Sequence, residues 1–117
     1  MGSEKEKMLA GDRYDAGGPE LVADRERARD LTRRYNRTTS DDRQTRRNLL
    51  GELLGSLGDE CYVEPPFRCD YGYNIHVGEN FYANFDCVVL DVCRVDIGQN
   101  CLVGPGVHTC SVHPPFT

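Results

Sequence analysis

The sequence predicts a mainly β fold: a left-handed parallel β-helix, incomplete at its C-terminus, preceded by a small α-helical cap. Three observations carry this expectation. The apolar spacing is helical up to Leu57 and changes at Tyr62, where glycine, β-branched and turn residues replace helix formers. The element V-G-E-N at Val77–Asn80 recurs as I-G-Q-N at Ile97–Asn100, an offset of 20 residues. Small or apolar residues also recur in six-residue steps at Val77, Ala83, Val89 and Val95, then at Ile97 and Val103.

Residues 1–57 form the helical part. A short helix is expected over Ser3–Ala10. Pro19 can open a second, because proline is tolerated in the first turn, where its missing N–H is not needed. Within Leu21–Tyr35, Ala28, Leu31 and Tyr35 fall on one face, and Asn36 can stop the helix. Ser40 or Asp41 can cap a third helix, with Leu49, Leu50, Leu53, Leu54 and Leu57 as its apolar stripe and Gly58 as its end. Such short amphipathic helices need a surface to pack on.

Residues 58–117 form the β part. A coil of three hexads is about 18 residues long, so an offset of 20 is one coil plus a two-residue bulge at a corner. Stacking explains the repeat, since each strand points a side chain inward onto the one from the coil below. A second ladder runs through Ile75, Phe81, Cys87 and Cys93, with Cys69 expected beneath Cys87. Gly and Asn at the corners accept positive φ. A β-sandwich, with hairpins every 8–12 residues or so, fits a six-residue step poorly.

The net charge is −5, unevenly spread. Residues 1–57 hold 12 Lys/Arg against 11 Asp/Glu, and residues 58–117 hold 2 against 8. The β part therefore lacks the basic footprint of a nucleic-acid binder. Arginines alternating with acids in the helical part read as a salt-bridged helix face. No apolar run is long enough for a membrane helix, and the charged N-terminus lacks the apolar core of a secretory signal, so a cytoplasmic location is expected. All six cysteines lie in the second half without a C-x-x-C pair, and read as small buried apolar residues in a reducing compartment.

Three blocks strongly resemble the maltose and galactoside O-acetyltransferases, a family of hexapeptide-repeat acyltransferases. They are E-K-E-K-M-L-A-G-D-R-Y-D (Glu4–Asp15) with R-A-R-D-L-T-R-R-Y-N (Arg27–Asn36); Y-V-E-P-P-F-R-C-D-Y-G-Y-N-I (Tyr62–Ile75); and G-E-N-F-Y-A-N-F-D-C-V-V-L-D-V-C (Gly78–Cys93) continuing through I-G-Q-N-C-L-V-G-P-G-V-H (Ile97–His108). The maltose enzymes look the nearer of the two. The resemblance implies a homotrimer with sites between subunits, acetyl-CoA as acetyl donor, a sugar such as maltose or glucose as acceptor, and no metal. It implies that His113, in a His-Pro element, is the catalytic base, a role that suits an imidazole acting on a sugar hydroxyl. Acceptor-binding positions map onto Asp70, Tyr82, Asn84 and Asp91, and more loosely onto Asp15 and Tyr71. Asn84 and Asp91 can equally satisfy backbone groups at corners, and His76 and His108 read as surface or structural residues.

The chain departs from the family pattern in two ways. Family members carry further coils after the His-Pro element, including much of the acetyl-CoA groove and a second catalytic carboxylate, whereas this sequence stops at Thr117. The stretch Val107–His113 is also one residue shorter than the pattern, which would turn a side chain to the other face of a strand. Weakened activity as a truncated enzyme is the expectation, with a non-catalytic oligomerisation or sugar-binding fragment as the alternative. A zinc site built from His76, His108 and His113 is disfavoured by their spacing.

Overall fold

The computed structural model describes residues 3–110. Helix α1 spans Glu4–Ala10. Ser3 caps it, its hydroxyl accepting from the Glu6 N–H while the Glu6 side chain accepts from the Ser3 N–H. This reciprocal box satisfies two otherwise orphaned donors. Gly11, at φ +80°, ends the helix. Helix α2 (Pro19–Asn36) starts on its proline and buries Leu21, Ala28, Leu31, Thr32 and Tyr35.

Helix α3 (Arg43–Leu53) differs from expectation at both ends. Its cap position is Asp42, not Ser40 or Asp41, and it stops at Leu53 because Leu54 is already extended. Leu57 belongs to strand β1 (Ser56–Leu57) and not to the helical stripe. The change from helical to β backbone thus comes before the boundary at residue 57 read from the sequence.

Eight more strands follow among the described residues: β2 (Tyr62–Val63), β3 (Phe67–Cys69), β4 (Ile75–Val77), β5 (Tyr82–Ala83), β6 (Cys87–Leu90), β7 (Val95–Ile97), β8 (Leu102–Val103) and β9 (His108–Cys110). They form three parallel three-stranded sheets: sheet I (β1-β4-β7), sheet II (β2-β5-β8) and sheet III (β3-β6-β9). Each strand pairs with the one three places on, which is the topology of a coil.

Every pairing joins residues 20 apart, such as Leu57↔Val77↔Ile97 and Val63↔Ala83↔Val103. The inward position steps by six residues from Leu57 to Val63 and from Val63 to Cys69, then by eight from Cys69 to Val77. The two extra residues therefore sit at the corner between sheets III and I, at 70–74 and again at 90–94. This register corrects two expectations. Cys69 lies beneath Val89, with Phe67 beneath Cys87, and Cys93 leaves the inward ladder to lie at the corner, where its thiol donates to the Met8 carbonyl.

Leu57, Val63, Phe67, Ile75, Val77, Phe81, Ala83, Cys87 and Val89 fill the coil together with the apolar faces of α2 and α3. Two polar ties fix the helices to it: the buried Tyr35 hydroxyl donates to the Val63 carbonyl, and the Asn36 amide both donates to and accepts from the Phe67 backbone. Glu60, Asn80 and Asn100 repeat one above another with φ near +60°. The glycines of V-G-E-N serve a different purpose from the positive φ expected of them. A Cβ at Gly58 would lie 2.6 Å from the Gly78 backbone and one at Gly78 2.8 Å from the Gln99 nitrogen, so these two positions are glycine because the coils approach closely.

Candidate functional site

The extra residues of each coil build a compact polar knot. Asp91 is 0% exposed. Its Oδ1 accepts from the N–H groups of Asp70 (3.1 Å) and Tyr71 (2.9 Å), and its Oδ2 from those of Gly72 (2.8 Å) and Asn74 (3.3 Å). The Asn74 side-chain amide returns a bond to the Asp91 carbonyl at 2.7 Å. One carboxylate thus accepts from four of the five N–H groups of the 70–74 bulge. Burial pushes its pKa above the usual carboxylate range, against the opposing pull of these N–H groups. Gly72 has φ +85°, and a Cβ there would sit 2.5 Å from the Leu53 carbonyl oxygen.

The first two helices close over this corner. Tyr71 is buried with Met8 and Leu21, and its hydroxyl accepts from Arg25 Nη1 at 2.8 Å. Arg25 Nη2 donates to the Ala16 carbonyl, tying the 11–18 loop to the same place. Tyr73 stacks on Tyr71 at 5.5 Å and donates to Asp24, which pairs with Lys5 at 3.3 Å. The rim holds Asp70, which is half-buried. Desolvation raises its pKa, and the charges of Arg25 and Arg29 act in the opposite direction. Tyr14 packs beside this cluster, its pKa raised by desolvation and then by Tyr71, Asp70 and Cys93.

The residues singled out from the sequence therefore divide. Asp70, Tyr71 and Asp91 meet at one corner, and Asp15 follows Tyr14 at its edge, its carboxylate accepting from the Gly17 N–H. Of the three that meet there, Asp70 is the one with a carboxyl at the rim, since Asp91 and the Tyr71 hydroxyl are committed inside. Tyr82 points outward from sheet II, stacked 5.4 Å from Tyr62 and 38% exposed. Asn84 follows it, its side-chain oxygen accepting from the Phe85 N–H. The two groups share no hydrogen bond or ring contact among the described residues. His113 lies outside the described residues. Tyr14, Arg25 and Asn74 were not picked out from the sequence; they fall in the recognisable blocks or beside them, but no spacing rule distinguishes them.

Carboxyl and phenol groups at the rim of a corner suit hydrogen bonding to hydroxyl-bearing ligands. Among the described residues no group of His, Cys, Asp and Glu could hold a metal ion, and no helix is long and apolar enough to cross a membrane.

Known proteins share this architecture. Residues 7–58 match the family described as the maltose acetyltransferase hexapeptide capping motif. A crystal structure of a maltose O-acetyltransferase from Clostridium difficile 630 superposes with a TM-score of 0.91 at 49% identity, over 97% of this chain and 62% of that one. The chain is a homologue of the maltose and galactoside hexapeptide-repeat acetyltransferases. A galactoside acetyltransferase solved in complex with coenzyme A superposes with a TM-score of 0.87 at 32% identity, over 97% and 59% of the two chains. Nodulation protein L of Rhizobium meliloti (strain 1021) is 43% identical over 113 residues, 97% of this chain and 62% of its own. The chain spans about three-fifths of the length of the curated relatives it matches, 59% and 62% of the first two. The homology thus covers the helices, the 70–74 corner and the Tyr62–Tyr82 stack together.

Proposed function

We propose that this chain is the acceptor-binding part of an acetyl-CoA-dependent sugar O-acetyltransferase, with α1–α3 as the cap of a left-handed β-helix. The observation that carries the reading is the 70–74 corner. Two residues beyond a regular coil stand at this corner at 70–74 and again at 90–94, and a buried carboxylate is spent on holding the first pair. A regular coil needs neither. The helices of the acetyltransferase capping motif close over this same corner.

In this reading Asp70 grips an acceptor hydroxyl, Asp15 and Tyr71 border it, and Asp91 positions the loop through its four N–H bonds. Tyr82 and Asn84 sit on another face, so they reach the acceptor from a neighbouring copy in a homotrimer. His113 takes the proton of the attacking sugar hydroxyl as its oxygen bonds to the thioester carbonyl carbon. Collapse of the tetrahedral adduct expels the CoA thiolate, which takes up that proton, and leaves the acetyl ester on the sugar. The acceptor is a maltose- or glucose-like sugar, and the compartment is the cytoplasm.

The test is thiol release from acetyl-CoA with maltose, glucose or a galactoside as acceptor. The reading predicts acceptor-dependent release that His113→Ala abolishes and Asp70→Asn weakens mainly through the acceptor's KM. Binding of sugar without turnover would favour the non-catalytic alternative. Release indifferent to both substitutions would refute the assignment.

A further inference from the structure

Beside this corner, and sharing Arg29 with its rim, α2 and β3 enclose a groove of about 460 Å³ lined by Arg29, Thr32, Arg33, Asn36, Arg37 and Arg68. Arg29 and Arg33 share one face of α2, and Arg37, the residue capping its C-terminus in helical backbone, continues that line at i+8. Arg68 is the outward residue of β3, between the inward-facing Phe67 and the partly buried Cys69. The Asn36 amide bonds both ways to the Phe67 backbone and so fixes the arginine-bearing strand beside the stripe.

Four guanidinium groups line one concavity with no acidic side chain among its walls. Like charges at i, i+4 repel, so the stripe works against the helix unless something offsets it. Other cations of the same helix are paired or bonded internally: Arg34 with Asp30, Arg25 with Tyr71 and Ala16, Arg27 with the Glu52 carbonyl. Arg29 reaches Glu26 only at 3.7 Å. Among the described residues no ion pair or hydrogen bond engages the side chains of Arg33, Arg37 or Arg68. The Thr32 hydroxyl and Asn36 amide are already committed to backbone groups, which leaves the guanidinium forks as the donors facing the space.

From this geometry we infer that the α2–β3 groove is a binding site for a small ligand bearing a diphosphate. Guanidinium forks match phosphoryl oxygens in pairs, and a diphosphate concentrates several negative charges within the span of four arginines. The volume falls within the roughly 300–1,000 Å³ of small-molecule sites. The inference does not depend on acyl transfer, and of the groove's arginines Arg33, Arg37 and Arg68 carry it, since Arg29 also acts on Asp70.

The test is calorimetric titration of the full chain with inorganic pyrophosphate at low ionic strength, and with citrate as a polycarboxylate of comparable charge. Saturable pyrophosphate binding is expected, stronger than citrate binding and weakened by added salt. Arg33→Gln/Arg37→Gln/Arg68→Gln should weaken it by about tenfold or more, since charge-assisted forks are the strong contacts, while Arg13→Gln should leave it unchanged. Circular dichroism checks that the triple variant is folded, and Arg68→Gln alone, on an exposed strand position, should still weaken binding. Absence of saturable binding, binding indifferent to the arginine substitutions, or equal binding of citrate would overturn the proposal. So would a triple variant whose main effect in sedimentation is loss of self-association, which would mark the groove as a contact for the acidic coil of a second copy.

Discussion

The corner between sheets III and I and the outer face of sheet II are made by the same 20-residue repeat, yet they are built in opposite ways. At the corner, each coil carries two surplus residues, and at 70–74 their backbone is held by a buried carboxylate and covered by helices. On sheet II the outward column is Tyr62, Tyr82 and Leu102, covered by Arg46 of α3 only at Tyr62 and rising to Leu102, which is 76% exposed. Above Tyr62 the ladder rests on side-chain stacking along a regular strand, and the corner on hydrogen bonds to an irregular one. A solenoid tolerates wide variation in what stands outward on its strands. It tolerates irregular backbone only where something accepts its N–H groups.

Breaking the corner should therefore cost far more than breaking the ladder. Asp91→Ala strands four N–H donors, three of them buried, and should lower unfolding free energy by about 3–5 kcal/mol, since each buried donor left unsatisfied costs about 1–3 kcal/mol, measured by chemical denaturation. Tyr82→Ala removes a stacked but partly exposed ring and should cost only about 0.5–1.5 kcal/mol in the same measurement. A Tyr82→Ala loss equal to that of Asp91→Ala would erase the distinction between the two regions.

A finer probe asks how the helices act on the corner. Arg29 favours the ionised form of Asp70, opposing the desolvation that raises its pKa. Arg29→Gln removes that charge, so the Asp70 carboxyl should titrate at still higher pH, followed by its side-chain carbon resonance. A downward movement would show that the guanidinium acts on Asp70 in some other way.

Much of this architecture is legible in the residues. The 20-residue recurrence of V-G-E-N and I-G-Q-N gives the coil and its length, because inward side chains must stack in register. The location of the surplus pair is not legible. A coil offset reports only a total, and Cys69 and Cys93 fit a strict six-residue ladder on paper while the chain spends the excess just after Cys69 and around Cys93. Helix α3 is overextended for a similar reason: Leu57 continues a leucine stripe, and apolar spacing cannot reveal that Leu54 has already turned extended. Asp91 is the instructive case at the site. An aspartate at a corner can grip a sugar or satisfy backbone, and only burial and the direction of its oxygens separate the two. Asp70, one coil below in the same corner, keeps its carboxyl at the rim.

The central claim is that the surplus corner is an acceptor site. Titration of the isotopically labelled chain with maltose, followed by backbone amide shifts, tests it directly. Saturable shifts concentrated on Tyr14, Asp15 and residues 70–74, and lost in Asp70→Asn, are predicted. Shifts that leave the 70–74 amides untouched while other surfaces respond would contradict the account.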